Sequence, residues 1–210
     1  GSINAEKANT TEILREVQAK VLQPLLDKHP SSSFTLEGEI KEGNETQKSI
    51  VSKFLFGMIG IFIILSFQFK SYFEPVMVML AIPLSLIGVI WGHILLGFDF
   101  TMPSMLGFVS LAGIVVNDSI LLVSYIKSHE QEGMSIHDSV IAASKERFRA
   151  VFITSATTIA GMTPLLLETS TQAQVLQPLV VSIVFGMISS TLLILLVLPC
   201  LYILLKDFNL

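Results

Sequence analysis

Asn117 and Asp118 lie near the middle of a stretch, residues 101–126, that is apolar enough to cross a lipid bilayer. An aspartate at the centre of a membrane helix costs about 2.5 to 3.5 kcal/mol on insertion scales, so such residues usually face a polar interior and mark an ion or proton pathway. A carboxyl group can bind and release a proton there, and the adjacent amide can donate and accept hydrogen bonds. The pair therefore predicts proton transfer within the membrane.

Small and polar residues recur along this stretch at steps of three or four, which predicts one packing stripe on a helix: Ser104, Gly107, Ser110, Gly113 and Asn117. Small side chains let a neighbouring helix approach closely, so we expect Asn117 to face protein rather than lipid. Asp118 is expected about 100° around the helix, at the border of the stripe.

A second polar cluster occurs in the next apolar stretch, where Thr154, Thr157 or Thr158, and Gly161 share helical spacing and follow Arg147 and Arg149. If this cluster faces Asn117 and Asp118, its hydroxyl groups would relay hydrogen bonds to a titrating carboxyl group. The alternative, open for each threonine, is a hydrogen bond to its own helix backbone.

The composition sets the class of protein that must position these residues. Of the 210 residues, 51% are hydrophobic and 14% are charged, with a net charge of −4, and the mean hydropathy is +0.70. These values indicate a membrane protein, and the dispersed charge gives no sign of a nucleic-acid surface. The single cysteine, Cys200, has no partner for a disulfide or a CxxC metal site and is expected to be a small residue of the core or of the lipid-facing surface.

The first 49 residues differ from the rest because they are polar enough to be soluble. Apolar residues at helical spacing from Ile13 to Leu26 predict a helix, and the alternation of Phe34, Leu36 and Ile40 with polar residues predicts a strand. One helix and one strand cannot close a core, so residues 1–49 are expected to be the end of a larger domain. The chain begins at Gly1 without a methionine or a signal peptide pattern, and we expect a fragment of a longer protein.

Five apolar segments, each near the length needed to span a bilayer, predict an all-α membrane protein with a bundle over residues 50–210. The predicted spans are residues 50–69, 75–97, 101–126, 150–167 and 175–205. Between the third and fourth spans, the pattern of residues 135–148 predicts a short amphipathic helix on the membrane surface. Small residues within the spans predict helix packing at Gly107, Gly113, Gly161 and Gly186.

The loops predict the orientation in the membrane. The loops on one side carry all of the lysines and arginines that follow the first span: Lys70, Lys127, Lys145, Arg147, Arg149 and Lys206. The opposite loops, around Asp99 and over residues 169–174, contain none. The positive-inside rule therefore places the C-terminus in the cytoplasm and residues 1–49 outside, although Lys48 and Lys53 argue the other way.

Two further groups have a bland and a functional interpretation. His93, near the outer end of the second span, is expected to hydrogen-bond at the interface or in a pore wall rather than to shuttle protons. The eight methionines are scattered, with Met77 and Met79 among the few close pairs, and are expected to fill apolar space rather than to bind a metal.

Several strings resemble the C-terminal membrane half of the resistance-nodulation-division efflux pumps. They are AGIVVNDSILLVSYI, EGMSIHDSVIAASKERFRAVFITSATTIAGMTPLLL, QAQVLQPLVVSIVFGMISSTLLILLVLPCLY and FKSYFEPVMVMLAIPLSLIGV, with EILREVQAKVLQPLLDKHP at the start. The resemblance covers nearly the whole chain, with the motifs in order. It implies that residues 1–49 end a periplasmic porter region and that the five spans are the last five of twelve.

The resemblance implies a proton-driven antiporter that exports hydrophobic or amphiphilic compounds from a bacterial inner membrane. It further implies a homotrimer that works with a periplasmic adaptor and an outer-membrane channel. An essential aspartate pair would lie in the absent first half. Asn117 stands where the best-known pumps carry a lysine that pairs with those aspartates, so Asp118 or a water network would share the charge balance. Thr154 matches a relay hydroxyl, and Arg147 matches an arginine near the proton exit.

Other functions remain open at this point. A heavy-metal exporter of the same layout, or a proton-driven component of protein or lipid export, would share these spans. An enzyme is not expected, because no hydrolase or metalloprotease motif and no pair of catalytic carboxylates occurs within a span. We expect a secondary active transporter without a cofactor or resident metal, in contact with the bilayer and with the remaining N-terminal part of its own chain.

Overall fold

The computed structural model describes residues 16–28 and 39–207. The chain divides into two units, residues 1–45 and 46–210, and each is described by itself. In the first unit a π-helical turn, Gln18–Leu22, is followed by helix α1, Gln23–Lys28. The start of the predicted first helix and most of the predicted strand, residues 31–38, lie outside the described ranges, and the assignment of residues 1–49 to a porter domain stays a prediction.

Five long helices follow, and each is long and apolar enough to cross a membrane. Their bounds are α2 Glu39–Phe69, α3 Phe73–Leu96, α4 Met102–Gln131, α5 Ile136–Leu167 and α6 Thr171–Asp207. Within residues 16–28 and 39–207 there is no strand. The predicted all-α fold with five membrane-crossing helices is therefore confirmed.

The core of the bundle lies around α6, which packs against α3, α4 and α5, while α4 also packs against α3 and α5. Small residues allow this close packing. A Cβ atom added at Gly88 of α3 would lie 2.3 Å from the carbonyl oxygen of Phe185 in α6. Branched and long apolar side chains fill the remaining space between these helices, and Val89, Leu111 and Val181 have no exposed surface.

Two boundaries differ from the sequence-based expectation. Glu39 and Ile40, placed at the end of a strand, are helical, because no proline interrupts residues 39–69 and the span's helix extends back through a run rich in Glu and Lys. The predicted surface helix, residues 135–148, is the first part of α5 rather than a separate element. Ser135 caps α5 by accepting a hydrogen bond from the Asp138 backbone, and no glycine or proline occurs between Ile136 and Gly161 to end it.

Candidate functional site

Asn117 and Asp118 lie on α4, where Asn117 is exposed and Asp118 is half-buried. The stripe predicted to contain Asn117 does not form one packing face. Ser104 and Gly107 are buried, whereas Ser110 and Gly113 are exposed. The physical reason is that three residues advance a helix by about 300°, so each step of three falls back about 60° and the set winds around the axis.

Arg147 reaches from α5 towards the face of α4 that carries Asp118. Its guanidinium carbon lies 5.1 Å from the centre of the Tyr125 ring, a cation–π arrangement across the two helices. Tyr125 lies two turns after Asp118 on α4, so the guanidinium group is directed to the helix face that carries Asp118, although the two residues are not joined as an ion pair within the described ranges. The Nε atom of Arg147 is buried without a hydrogen-bond partner among the described residues, so one donor of this side chain is still available.

Thr154 is exposed on α5, and its hydroxyl group donates to the carbonyl oxygens of Ala150 and Val151, both at 3.0 Å. Thr157 and Thr158 bond their own helix in the same way. Within the described residues, the hydroxyl of Thr154 does not reach Asn117 or Asp118. Hydroxyls bonded to their own backbone keep lone pairs free, so Thr154 presents an acceptor to whatever covers this face.

The hydroxyl pair that does join two helices was not singled out from the sequence. Ser155 Oγ and Thr191 Oγ1 lie 2.7 Å apart and connect α5 to α6. Ser155 follows Thr154 by one residue, about 100° around the helix, and it is buried where Thr154 is exposed. A sequence analysis that considered both faces of this helix would have included Ser155.

The four glycines predicted for helix packing fall into two pairs. An added Cβ would lie 2.5 Å from the Leu179 carbonyl oxygen at Gly107, and 2.1 Å from the Leu111 side chain at Gly186. At Gly113 and Gly161 an added Cβ would meet no heavy atom within 4 Å in the described part of the chain. Helix packing through Gly113 and Gly161 therefore stays a prediction that requires further protein.

A polar network at the end of the bundle where α2, α4 and α6 end was also missed. Lys127 Nζ of α4 forms a 2.8 Å ion pair with Glu74 at the start of α3, and it donates to the last carbonyl of α2, at Phe69, over 2.9 Å. Because a lysine at a helix C-terminus opposes the negative end of its dipole, this contact also caps α2. We call this end of the bundle the Lys127 end.

The network extends to α6. Tyr202 donates its hydroxyl to Glu130 Oε2 at 3.1 Å, and Lys206 Nζ lies 3.5 Å from the same oxygen. One end of the bundle thus joins four helices through charged groups. The sequence signal was the presence of acids beside the lysines that the positive-inside rule had counted only as loop charges.

At the opposite end, His93 of α3 is buried within a second polar cluster. Its Nδ1 donates to the Val89 carbonyl oxygen at 2.9 Å, and its Nε2 lies 2.8 Å from Ser104 Oγ of α4. The Ser104 carbonyl in turn accepts a hydrogen bond from Ser182 of α6 at 3.0 Å. Both ring nitrogens of His93 have hydrogen-bond partners, which agrees with the hydrogen-bonding role expected for this residue.

The described residues thus offer a polar cluster at each end of the bundle and, between them, a polar face on α4 and α5 that no other helix of the described chain covers. We call Asn117, Asp118, Arg147 and Thr154 the open polar face. Within the described ranges, no three His, Cys, Asp or Glu side chains gather as metal ligands. The amide, carboxyl, guanidinium and hydroxyl groups of the open polar face are suited to hydrogen bonding, and the carboxyl group can bind and release a proton.

Comparison with known proteins places this arrangement in context. A sequence model of the AcrB/AcrD/AcrF family matches residues 3–206. The chain is 30% identical over 169 residues to the multidrug resistance protein MdtC of Proteus mirabilis, an alignment that covers 80% of this chain and 16% of that protein. It is 33% identical over 145 residues to the cobalt-zinc-cadmium resistance protein CzcA of Cupriavidus metallidurans, covering 69% of this chain and 14% of that protein.

The swarming motility protein SwrC of Bacillus subtilis is 28% identical over 202 residues, which is 96% of this chain and 19% of that protein. The chain thus spans less than a fifth of the length of these relatives. Among solved structures, crystal form II of a heavy metal efflux pump superposes with a TM-score of 0.78 at 23% identity, over 96% of this chain and 20% of that one. The likeness to that pump is one of fold.

Proposed function

We propose that this chain, which belongs to the AcrB/AcrD/AcrF family of resistance-nodulation-division efflux transporters, supplies half of the proton pathway in a drug/proton antiporter. Its family and its five apolar helices make it a multi-pass inner-membrane protein. The exported compounds would be hydrophobic or amphiphilic, and the protein would act as a secondary active transporter rather than an enzyme.

The observation that carries the proposal is the open polar face. Asn117 and Thr154 are exposed, and Asp118 is half-buried, in the middle of helices that are otherwise apolar enough to span a bilayer. An amide and a carboxylate facing lipid would be costly, so another part of the protein must cover them. The covering segment would come from the remaining length of the protein, because this chain spans only 16% of its relative MdtC.

The mechanism follows from this uncovered surface. Carboxyl groups of the covering helices would accept hydrogen bonds from Asn117 while ionised and would lose that preference when protonated. Arg147, whose Nε has no hydrogen-bond partner among the described residues, would balance the charge that remains. The change in pairing would shift α4 and α5 against the covering helices, and the external domain would follow through its transport states.

The orientation and partners are part of the proposal. Lys70, Lys127 and Lys206 line one cavity, which supports placing them on the same, cytoplasmic side. The C-terminus would then lie in the cytoplasm and residues 1–49 in the periplasm. The complete pump would be a homotrimer working with a periplasmic adaptor and an outer-membrane channel.

The test is efflux by the complete pump in cells with Asp118→Asn or Thr154→Ala. Both variants should lower the efflux of an amphiphilic dye, while trimer abundance in the membrane stays unchanged. Thr163→Ala is the matched control, because Thr163 lies on the same helix and also bonds its own backbone, at Ile159. Full efflux in both variants would reject the relay assignment.

Export of divalent metal ions is the second candidate, favoured by the relative that is named for cobalt, zinc and cadmium resistance. Met77 does not add to that case, because it is buried in the core with 2% of its surface exposed. Cells that express the complete protein should tolerate amphiphilic dyes if the first proposal holds. Tolerance of Zn²⁺, Co²⁺ and Cd²⁺ without dye efflux would instead support metal export.

A further inference from the structure

A cavity of about 260 Å³ lies at the Lys127 end of the bundle, between the end of α2, the start of α3 and the end of α6. Three lysines line it, Lys70, Lys127 and Lys206, together with Ser71 and the hydroxyl-bearing Tyr202. A cavity of this size accepts a phosphate-sized group. Among the described residues, Glu74 is the only acid in the lining, and Glu130, just outside it, pairs with Lys206. Three lysines against these two acids leave a net positive charge at the cavity.

The three lysines are not equally committed to protein partners. Lys127 uses donors for Glu74 and for the Phe69 carbonyl. Lys206 lies 3.5 Å from Glu130, a loose pair. Lys70 is exposed and forms no ion pair within the described ranges, and its φ of 53° places it in the left-handed region just after α2 ends. Lys70 and Lys206 therefore have donors left for an anion.

Two apolar grooves adjoin this cavity. The first runs along α3 and α6, is lined by Val76, Leu80, Leu201 and Leu204, and shares Phe73 and Leu205 with the cavity. The second runs along α2, is lined by Phe62, Ile63 and Phe67, and shares Lys70 and Ser71 with the cavity. A basic cavity at the end of membrane-crossing helices is thus continuous with two apolar grooves.

We propose that this site binds one anionic phospholipid, with its phosphate in the lysine cavity and one acyl chain in each groove. The charge complements a phosphodiester, and basic pockets between membrane helices are a recognised setting for anionic headgroups. The two apolar grooves favour a lipid over free phosphate, because inorganic phosphate has no acyl chains to place in them. The lipid would fasten α2 to α3 and α6 at the Lys127 end of the bundle.

The experiment uses the full-length protein in detergent, titrated with dioleoyl phosphatidylglycerol, dioleoyl phosphatidylcholine or inorganic phosphate, with binding followed by native mass spectrometry and by the melting temperature. Phosphatidylglycerol should bind and raise the melting temperature, and the other two should not. Equal effects of the two lipids, or an equal effect of inorganic phosphate, would overturn the proposal.

The headgroup contact is tested by Lys70→Gln and by Lys70→Gln/Lys206→Gln. Each lost lysine should weaken phosphatidylglycerol binding about fivefold, the amount expected of one basic residue near an anionic lipid. The control is Lys145→Gln/Arg149→Gln, which removes two exposed charges from α5. Lys70 is exposed, so the single variant keeps the test valid if the double variant unfolds. Binding equal to that of the control would contradict the site.

The acyl-chain contact is tested by Val76→Trp, which fills the α3/α6 groove, against Ile87→Trp, a comparably exposed position on the same helix. Val76→Trp should weaken binding of the dioleoyl lipid and leave binding of dihexanoyl phosphatidylglycerol unchanged. If both chain lengths respond equally, or neither does, no acyl chain occupies the groove.

Discussion

The helices α3, α4 and α6 form a packed core, whereas α2 and α5 lie against it with most of their surface open. In the most apolar stretch of each helix, 50%, 44% and 50% of residues are buried in the first group, against 6% and 11% in the second. All five helices are apolar enough to span a membrane, so apolarity does not separate the two groups. The difference is whether a neighbouring helix is present in the described chain.

Glycines show the same contrast. In the core, Gly88 and Gly107 lie against backbone oxygens of α6, whereas Gly57, Gly60 and Gly161 of the flanking helices meet nothing within 4 Å of an added Cβ. Gly113 is the exception on a core helix, because it lies on the exposed face of α4 and an added Cβ would meet nothing there. Under the proposed function, these open surfaces are the ones that the covering helices would contact.

The largest effect is expected for Gly88→Ala. The added methyl group would lie 2.3 Å from the Phe185 carbonyl oxygen and from the Ser189 Cβ, and a backbone oxygen cannot move aside without displacing α6. We expect the free energy of unfolding to fall by about 1 to 3 kcal/mol, measured by denaturant titration of the full-length protein in mixed micelles. Gly57→Ala on α2 is the control and should be neutral. Equal effects of the two would remove the distinction between core and flank.

A similar loss is expected for Glu74→Gln, which leaves the ammonium group of Lys127 without its carboxylate. Glu74 is 8% exposed, so little water replaces the partner, and we expect a loss of about 1 to 3 kcal/mol. Adding Lys127→Met should recover part of it, because the unpaired charge is then gone. Glu45→Gln, at an exposed position, should change stability by less than about 0.5 kcal/mol. A Glu74→Gln/Lys127→Met variant that is less stable than Glu74→Gln alone would contradict the pairing.

A smaller effect is expected for His93→Leu, which removes the contacts to Val89 and Ser104 at the other end of the core. Only the contact to Ser104 joins two helices, and such a hydrogen bond contributes about 0.6 kcal/mol. Because the buried Ser104 hydroxyl also loses a partner, the total loss should be about 1 kcal/mol. Thr154→Val, which removes only bonds within its own helix, should leave stability nearly unchanged. A Thr154→Val variant less stable than His93→Leu would mean that the open polar face is a structural contact.

The smallest effect is expected for Ser155→Ala, which breaks the 2.7 Å contact with Thr191 between α5 and α6. The expected loss is about 0.6 kcal/mol. Thr157→Ala, two residues on, is the control, because its hydroxyl bonds only its own helix. The two variants are compared by the same denaturant titration, with replicates of each unfolding midpoint. No difference between them would show that α5 gains nothing from this contact.

The helices could be predicted from sequence because apolar length alone identifies a membrane span. The surface helix of residues 135–148 could not be separated from α5, since amphipathic and apolar halves can share one unbroken backbone ladder. The packing role of Gly88 was not predicted, because close approach depends on the partner helix rather than on local spacing. The Glu74 to Lys127 pair was missed for the same reason: its members are 53 residues apart.

The candidate site was predicted as residues rather than as contacts. Asp118 and Arg147 do lie on helices that pack against each other, whereas Thr154 and Asn117 have no partner from another helix in the described chain. The stripe predicted on α4 was expected to place Asn117 on the same face as Ser104 and Gly107. Each step of three residues falls about 60° short of a full turn, so these residues do not lie on one face. The relay through Asn117, Asp118, Arg147 and Thr154 therefore stays a prediction, because a pathway would need the covering helices.

The most direct test is proton movement by the complete pump in proteoliposomes, recorded with a pH-sensitive dye inside the vesicles while substrate is supplied. The open polar face predicts that Asp118→Asn lowers substrate-dependent proton flux several-fold, while Thr163→Ala retains it and both proteins reconstitute equally. Proton flux by Asp118→Asn equal to that of the unmodified pump, at equal reconstitution, would contradict the role of this face in coupling.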